Sequence, residues 1–327
     1  MSESAPLTLE RVIDATPDEA FALFTEPDRL RRWMALSVGL DLSIGGDVRM
    51  TVVPGSINRG TVMELEPGRR FVYSWGWDGN DDPAPGESVV AVDFEPVDGG
   101  TRVRLTHTGL SDAAAPGHGE GWNHYMDRLV LASATGDAGS DPWAIGGDEM
   151  DWLDCAEATW GICSQVLAVL TEEDAARPTP CADYSVAELV DHLAGSMVGL
   201  AKMADVEFEP SVGENFESRV ADAVEPALAA WRARGLDGML PFGDGEAPAA
   251  LFSGIFSLEF LIHAWDFAHA TGRTIEVAPH VLELVTDMAH QIIQPGFRGP
   301  DKGFAEIVTT DGSDPLEALV AFSGRRP

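Results

Sequence analysis

The chain has 327 residues, of which 54 are acidic and only 21 are lysine or arginine, so its formal net charge is −33. The negative field of such a surface repels phosphate groups, which excludes nucleic acids and anionic membrane surfaces and leaves neutral molecules, cations or proteins as expected partners. The length indicates two domains, each large enough to bury a core of its own.

The beginning of the chain predicts a strand followed by a helix. Residues 7–14 alternate between apolar and polar side chains, which is typical of a strand with one buried face. Thr16 and Glu19 form a capping box around Pro17, which suits the first position of a helix. We therefore expect a helix over 17–24.

The rest of the first half predicts an antiparallel sheet closed by a long helix. A second short helix is expected over 28–34. Between residues 37 and 107, six runs rich in β-branched and aromatic residues are separated by glycine, proline, asparagine and aspartate, which predicts a six-stranded meander. Apolar residues then recur at helical spacing from Trp122 to Val130. The first domain is therefore expected to be α+β.

The second half predicts an all-α domain. Residues 139–149 are small, polar and glycine-rich, which predicts a linker between domains at 1–138 and 150–327. Ser185 and Glu188 form a second capping box at the start of a helix. Further helical patterns cover residues 150–170, 215–233, 248–270 and 279–293. Four or five helices with apolar stripes predict a helical bundle.

Cysteine content and the N-terminal segment predict a cytoplasmic protein. Cys155, Cys163 and Cys181 are too few for a disulfide framework, and the sequence has no CxxC motif. The first residues lack the basic region and apolar run of an export signal. No run approaches about 18 uninterrupted apolar residues, so we expect no membrane span.

One charged pair interrupts the apolar helix predicted over 248–270. Glu259 and His263 are four residues apart, so both project from one face of that helix. Burying a carboxylate and an imidazole among apolar residues is costly unless a cation or hydrogen bonds compensate for it. With His192 from another helix, they would form a nitrogen and oxygen ligand set that suits zinc or another divalent metal.

A simpler interpretation stays open at this point. His192 and His263 would then be ordinary core or capping histidines, and Glu259 would face solvent. A glutamate and a histidine at this spacing form a weak motif when taken alone. Asp266, three residues beyond His263, would orient a ligand histidine if a metal binds.

The sequence around His192 resembles a known metal-binding family. It runs Thr179-Pro180-Cys181, then Asp183-Tyr184-Ser185-Val186, and then Leu189 to Leu193, and a second motif runs from His263 to Asp266. These motifs are similar to the N-terminal domain of the mycothiol-dependent maleylpyruvate isomerases, in the DinB-like superfamily. The resemblance implies a four-helix bundle with a divalent metal, most often zinc, held by His192, Glu259 and His263. It also implies attack on the substrate by a small thiol such as mycothiol.

The first half resembles the START-like helix-grip (SRPBCC) superfamily, in the branch of the heat-shock ATPase activator. The resemblance is carried by Arg31-Arg32-Trp33, by the run from Gly45 to Met50, and by Gly121-Trp122 with Tyr125 and Arg128. It implies a sheet wrapped on the last helix around an apolar cavity that takes a small hydrophobic or aromatic ligand. The implied cavity walls are Trp33, Met50, Trp75, Trp77 and Tyr125. Ordinary core packing is the alternative for each of these side chains.

These features leave three hypotheses for function. The first is a metal-dependent enzyme acting on a small hydrophobic or aromatic metabolite, with a thiol-assisted isomerase or transferase reaction. The second is a ligand-binding or client-binding stress protein with a structural metal. The third is cyclase or lyase chemistry in the START-like cavity, which needs a polar residue deep inside it. An open coordination position would favour the enzyme over the binding protein.

Overall fold

The computed structural model of the protein describes residues 4–147, 149–181, 184–210, 213–242, 245–299, 302–310 and 312–327. The chain divides into two compact units, Met1–Ala144 and Ile145–Pro327. The predicted linker at 139–149 spans the point where one unit ends and the other begins. Each unit is described by itself.

The first unit is an antiparallel sheet with one long helix, as the sequence predicted. Its strands are β1 (Leu7–Ile13), β2 (Ser37–Leu40), β3 (Asp47–Val53), β4 (Ser56–Glu66), β5 (Arg70–Trp75), β6 (Ser88–Val97) and β7 (Gly100–Thr108). Its helices are α1 (Pro17–Thr25), α2 (Pro27–Leu30) and α3 (Ala115–Thr135). All neighbouring strands are antiparallel, in the order β1-β7-β6-β5-β4-β3-β2.

Helix α1 begins where the sequence predicted. The Thr16 hydroxyl accepts a hydrogen bond from the Glu19 amide, and the Glu19 carboxylate accepts one from the Thr16 amide, which completes the capping box. Helix α3 begins earlier than the predicted segment at Trp122. The Ser111 hydroxyl accepts a hydrogen bond from the Ala114 amide at its start, and packing on the sheet outweighs the low helix propensity of the glycines in its first turns.

The core of the first unit lies between α3 and the sheet. The buried face of α3 carries Trp122, Tyr125, Met126, Leu129 and Ala132. This face repeats at the helical period and meets the inward residues of the strands. Val90, Val92, Val103 and Leu105 are all fully buried there. The sheet and α3 therefore share one hydrophobic core, as in a helix-grip fold.

The second unit is mainly helical, as predicted. Its elements are α4 (Trp152–Ala168), α5 (Val186–Met203), α6 (Phe216–Arg234), β8 (Met239–Phe242), β9 (Gly245–Pro248), α7 (Ala249–Ala270), α8 (Pro279–Ile292) and α9 (Pro315–Phe322). The hairpin of β8 and β9 departs from the all-α expectation. Pro241 cannot continue a helix, so this segment pairs as two short strands before α7.

Helix α7 is the central element of the second unit. It packs against α4, α5 and α8, and Phe252, Phe256 and Phe260 are buried along it at intervals of four residues. By length and composition alone it could cross a membrane, but 78% of its most apolar window is buried inside the protein. A helix that is apolar on nearly every side is typical of a packed core.

Truncation of a core residue on α3 tests this architecture. Leu129 is fully buried, whereas Leu131 on the same helix is 48% exposed. We expect Leu129→Ala to lower the free energy of unfolding of the first unit by about 2–5 kcal/mol because it leaves a cavity. Leu131→Ala should change it by less than about 0.5 kcal/mol. Native-state hydrogen exchange of the β6 and β7 amides measures both values, and equal effects would contradict the assigned face.

Candidate functional site

Two helices of the second unit bring the predicted metal ligands together. Glu259, His263 and Asp266 lie four and three residues apart on α7, so they share one face of that helix. Helix α5 packs against α7 and carries His192. The capping box of Ser185 and Glu188 fixes where α5 begins, and it is formed as predicted.

The three side chains converge on one point. Glu259 Oε2 lies 3.5 Å from His192 Nε2 and 3.6 Å from His263 Nε2. The two imidazole rings are perpendicular, with centroids 5.4 Å apart. Ligand atoms at about 2.1 Å from one tetrahedral metal ion lie about 3.4 Å from each other. The observed separations are therefore close to those of a divalent metal site.

The glutamate oxygen at the centre has no hydrogen bond. Among the residues that the structure describes, Glu259 Oε2 is buried without a hydrogen-bond partner. An unsatisfied buried carboxylate oxygen is costly, and a metal ion would satisfy it. The His263 side chain is 6% exposed, whereas His192 is 33% exposed, so the site is reached from the His192 side.

A second layer of residues orients His263. Its Nδ1 lies 2.9 Å from Asp266 Oδ2, so the Nδ1 proton is donated to this carboxylate and Nε2 faces Glu259. The Arg325 guanidinium in turn donates to Asp266 Oδ2, with Nη2 at 3.0 Å. Asp266 is fully buried, and this contact is the one that a carboxylate orienting a ligand histidine would make.

Arg325 is a contributor that sequence reasoning missed. It lies far along the chain from Asp266, and no spacing rule connects the two positions. Cys181 also lies close by, since its thiol, a nitrogen of His263 and an oxygen of Asp266 are within 4.8 Å of one another. Because Asp266 is already paired with Arg325, its carboxylate is better placed to orient His263 than to bind a metal directly.

Burial and neighbouring charges set the protonation of this cluster. Burial alone raises the pKa of the Glu259 carboxyl, but the contacts of His192 and His263 outweigh it and leave the pKa below its usual range. Burial lowers the pKa of His263, and the carboxylates of Asp266 and Glu259 outweigh it and raise the pKa overall. A metal ion that binds His263 would compete with a proton for this ring, so its affinity would fall as the pH falls.

Tyr184 and His192 stack at the open side of the site. Their ring centroids are 5.0 Å apart, and the planes differ by 25°. The ring of Tyr184 thereby restricts the rotamers of His192, the more exposed of the two histidines. Tyr184 belongs to the sequence motif that precedes α5.

The first unit contains a cavity of about 330 Å³ between α3 and the sheet. Trp75, Trp77 and Tyr125, which the sequence predicted as walls, line it. The other predicted wall residues do not. Trp33 is fully buried and donates its indole N–H to the Leu23 carbonyl, so it belongs to the core. Met50 lines a separate small void instead.

Further residues line this cavity that sequence reasoning did not assign to it. They include Trp122, His118 and Gly121 on α3, with Asn80 and Asp82 from the loop after β5. His118, Trp122 and Tyr125 repeat at the helical period, and this spacing indicates that they share one face of α3. Asn80 and Asp82 carried no such signal, because loop positions have no regular period.

Two histidines beside the cavity have both ring nitrogens engaged. His118 Nε2 accepts a hydrogen bond from the Trp77 indole, and its Nδ1 lies 2.9 Å from the Ala114 carbonyl. His107 Nδ1 accepts from the Trp122 indole, and its Nε2 lies 2.8 Å from the Ser88 hydroxyl. Burial lowers the pKa of His107 to about 3, with a further contribution from His118. Burial also lowers the pKa of His118, so both rings are neutral hydrogen-bond partners of tryptophans, and His118 is the one that lines the cavity.

Two families match separate parts of the chain. The profile described as "Activator of Hsp90 ATPase homolog 1-like protein" matches residues 14–133. The profile described as "Mycothiol maleylpyruvate isomerase N-terminal domain" matches residues 156–251. The first match lies in the unit with the cavity, and the second contains His192.

Several relatives are similar to parts of the chain. The uncharacterized proteins MT0763 and Rv0738 of Mycobacterium tuberculosis are each 29% identical over 180 residues, which is 54% of this chain and 98% of theirs. An AHSA1-like protein of Rhizobium etli is 38% identical, over 42% of this chain and 88% of its own, with a TM-score of 0.37. The Aha1 dimer of Colwellia psychrerythraea is 19% identical, over 41% and 98%, with a TM-score of 0.36.

The neutral state of His107 makes stability depend on pH. An unfolded histidine has a pKa of about 6.5. The folded value is about 3, so at intermediate pH the unfolded chain binds a proton that the folded state excludes. Because of His107, we expect the free energy of unfolding of the first unit to be about 2 kcal/mol lower at pH 5 than at pH 7.

NMR of the His107 ring tests this expectation directly. Its resonances, assigned by comparison with His107→Gln, should keep the chemical shifts of a neutral imidazole from pH 7 down to pH 5. A titration midpoint near pH 6.5 would show that burial does not lower the pKa of the His107 ring.

Proposed function

Because the chain joins an AHSA1-like (SRPBCC) domain to a mycothiol maleylpyruvate isomerase N-terminal domain, we propose that it is a metal-dependent enzyme. His192, Glu259 and His263 would hold one divalent ion, with zinc as the best fit to two imidazoles and a carboxylate. The observation that carries this proposal is the buried Glu259 oxygen, which has a histidine nitrogen on either side.

The ligand set supports catalysis over a purely structural metal. Three protein ligands leave a position of a tetrahedral ion for another molecule, whereas structural zinc sites are closed by four side chains. When bound there, the ion would lower the pKa of a small thiol or of water and supply a nucleophile at neutral pH. We infer that the reaction is a thiol-assisted isomerisation or transfer, with mycothiol as the candidate thiol.

The residues of this chain have distinct tasks in that proposal. Asp266 holds the Nδ1 proton of His263 and keeps Nε2 free for the metal. Arg325 balances the charge of Asp266, so the buried carboxylate does not need a proton. Apolar residues of α7 surround the polar cluster and keep bulk water away from it on the buried side.

A second candidate function rests on the cavity of the first unit. Its aromatic walls and its volume suit a small hydrophobic or aromatic ligand, which supports a role in ligand binding whether or not the second unit turns over a substrate. Cyclase or lyase chemistry in this cavity has less support. His118, the histidine that lines it, has both ring nitrogens engaged within the protein.

Metal analysis tests the proposed site. We expect one divalent ion per chain in protein purified without added metal or chelator, and loss of it in His192→Ala and Glu259→Ala, because each removes a ligand. His269→Ala is the matched control, since His269 is an exposed histidine on the same helix. Elemental analysis by mass spectrometry measures the content of all four proteins. No bound metal, or metal that all three variants retain, would overturn the proposal.

The thiol step can be tested without knowing the substrate. In protein loaded with cobalt(II), a thiolate that reaches the metal produces a sulfur-to-cobalt charge-transfer absorption. We expect this band when mycothiol is added to the wild type, and no band in Glu259→Ala. If cobalt-loaded wild type shows no new band, the proposed thiol reaction is wrong, whereas the proposed metal site still stands.

A further inference from the structure

The cavity of the first unit carries one formal charge among its described lining residues. Asp82 is the only acidic residue there, and neither lysine nor arginine is present. His118 does not offset this charge, because burial lowers its pKa. The cavity is therefore apolar with a single negative group.

Asp82 is held in place by hydrogen bonds. The Ser111 hydroxyl donates to Asp82 Oδ2 at 2.6 Å and also accepts from the Ala114 amide at the start of α3. The Asp82 amide donates to Asn80 Oδ1 at 3.1 Å. The carboxylate is thus tied to the first turn of the helix that forms one wall of the cavity. It is only partly buried, so a ligand in the cavity can reach it.

Aromatic rings form most of the remaining wall. Trp75 is at the centre of a cluster, with its ring centroid 5.0 Å from Trp77 and 5.2 Å from Trp122. Tyr125 completes the lining on α3. The faces of indole and phenol rings are electron-rich and attract organic cations as well as aromatic groups.

The volume limits the size of an occupant. An engineered apolar cavity of about 150 Å³ accommodates benzene. A cavity of about 330 Å³ has room for roughly two joined or fused rings with a short substituent. The net charge of −33 adds a general attraction for cations and repulsion of anions.

We propose that this cavity binds an aromatic amine in its cationic form, with the ring system among the tryptophans and the ammonium group against Asp82. The inference rests on the ligand-binding function proposed above for the first unit. It specifies the chemical class of that ligand. Neutral analogues of the same shape lose the interaction with the carboxylate, and carboxylate analogues are repelled by it.

Three naphthalene probes of similar size test the charge preference. They are 2-naphthylmethylammonium, the neutral 2-naphthylmethanol and the anionic 2-naphthoate. Isothermal titration calorimetry of the full chain at pH 7.5 should give the tightest binding for the cation. We expect a margin of roughly tenfold over the alcohol, and little or no binding of the anion. The margin should shrink as salt concentration rises.

Three variants test whether the preference for the cation arises in this cavity. Asp82→Asn keeps the shape and the acceptor for Ser111 but removes the charge, so the cation and the alcohol should bind with similar affinity. Asp98→Asn, at an exposed carboxylate in the turn between β6 and β7, should leave the margin unchanged. Gly121→Leu should block all probes. A Cβ at Gly121 meets no atom within 4 Å, so the larger side chain has room to enter the cavity without disturbing the fold.

The outcomes distinguish ligand binding by the first unit from its preference for an aromatic amine. If no probe binds the wild type, ligand binding by the first unit and the aromatic-amine inference both fail. If the probes bind with no preference for the cation, or if Asp82→Asn keeps the preference, the inference alone fails. Binding that survives Gly121→Leu would place the probes elsewhere and would also overturn it.

Discussion

A charged cluster inside an apolar helix governs the second unit. Helix α7 is buried on most sides by phenylalanine, leucine and isoleucine, yet one of its faces carries Glu259, His263 and Asp266. Each of these groups would be unstable in such a setting if left without a partner. Two neighbouring side chains reduce the cost of burying these charges. Arg325 forms an ion pair with Asp266, and His192 lies next to Glu259. The packing of α5 and the position of Arg325 both follow from this requirement.

The same principle operates in the first unit with uncharged groups. Two indoles are paired with imidazoles there, since the Trp122 indole donates to His107 and the Trp77 indole donates to His118. Because these two N–H groups are paired, the rings of Trp77 and Trp122 present mainly apolar surface to the cavity. Asp82 is the acidic side chain among the described residues of the cavity lining, and it lies on a loop where it accepts a hydrogen bond from the Ser111 hydroxyl.

The sequence predicted those features that depend on neighbours along the chain. The spacing of Glu259 and His263 placed both on one helical face, and the capping box at Ser185 placed the start of the helix that carries His192. Features that depend on tertiary packing were not predictable. Trp33 is a residue type that commonly lines cavities, but it lies in the core instead. Its indole N–H donates a hydrogen bond to the Leu23 carbonyl there. Nothing along the chain connected Arg325 with Asp266, since the two residues are 59 positions apart and meet only through tertiary packing.

The dispersed origin of the polar cluster links metal binding to folding. His192, the α7 residues and Arg325 come from three distant segments, so the unfolded chain does not bring this set of side chains together. An ion that binds the folded state alone stabilises it by mass action, by about 2.7 kcal/mol when its free concentration is about 100 times the dissociation constant. The lifetime of this protein against proteolysis would then follow the supply of free metal around it.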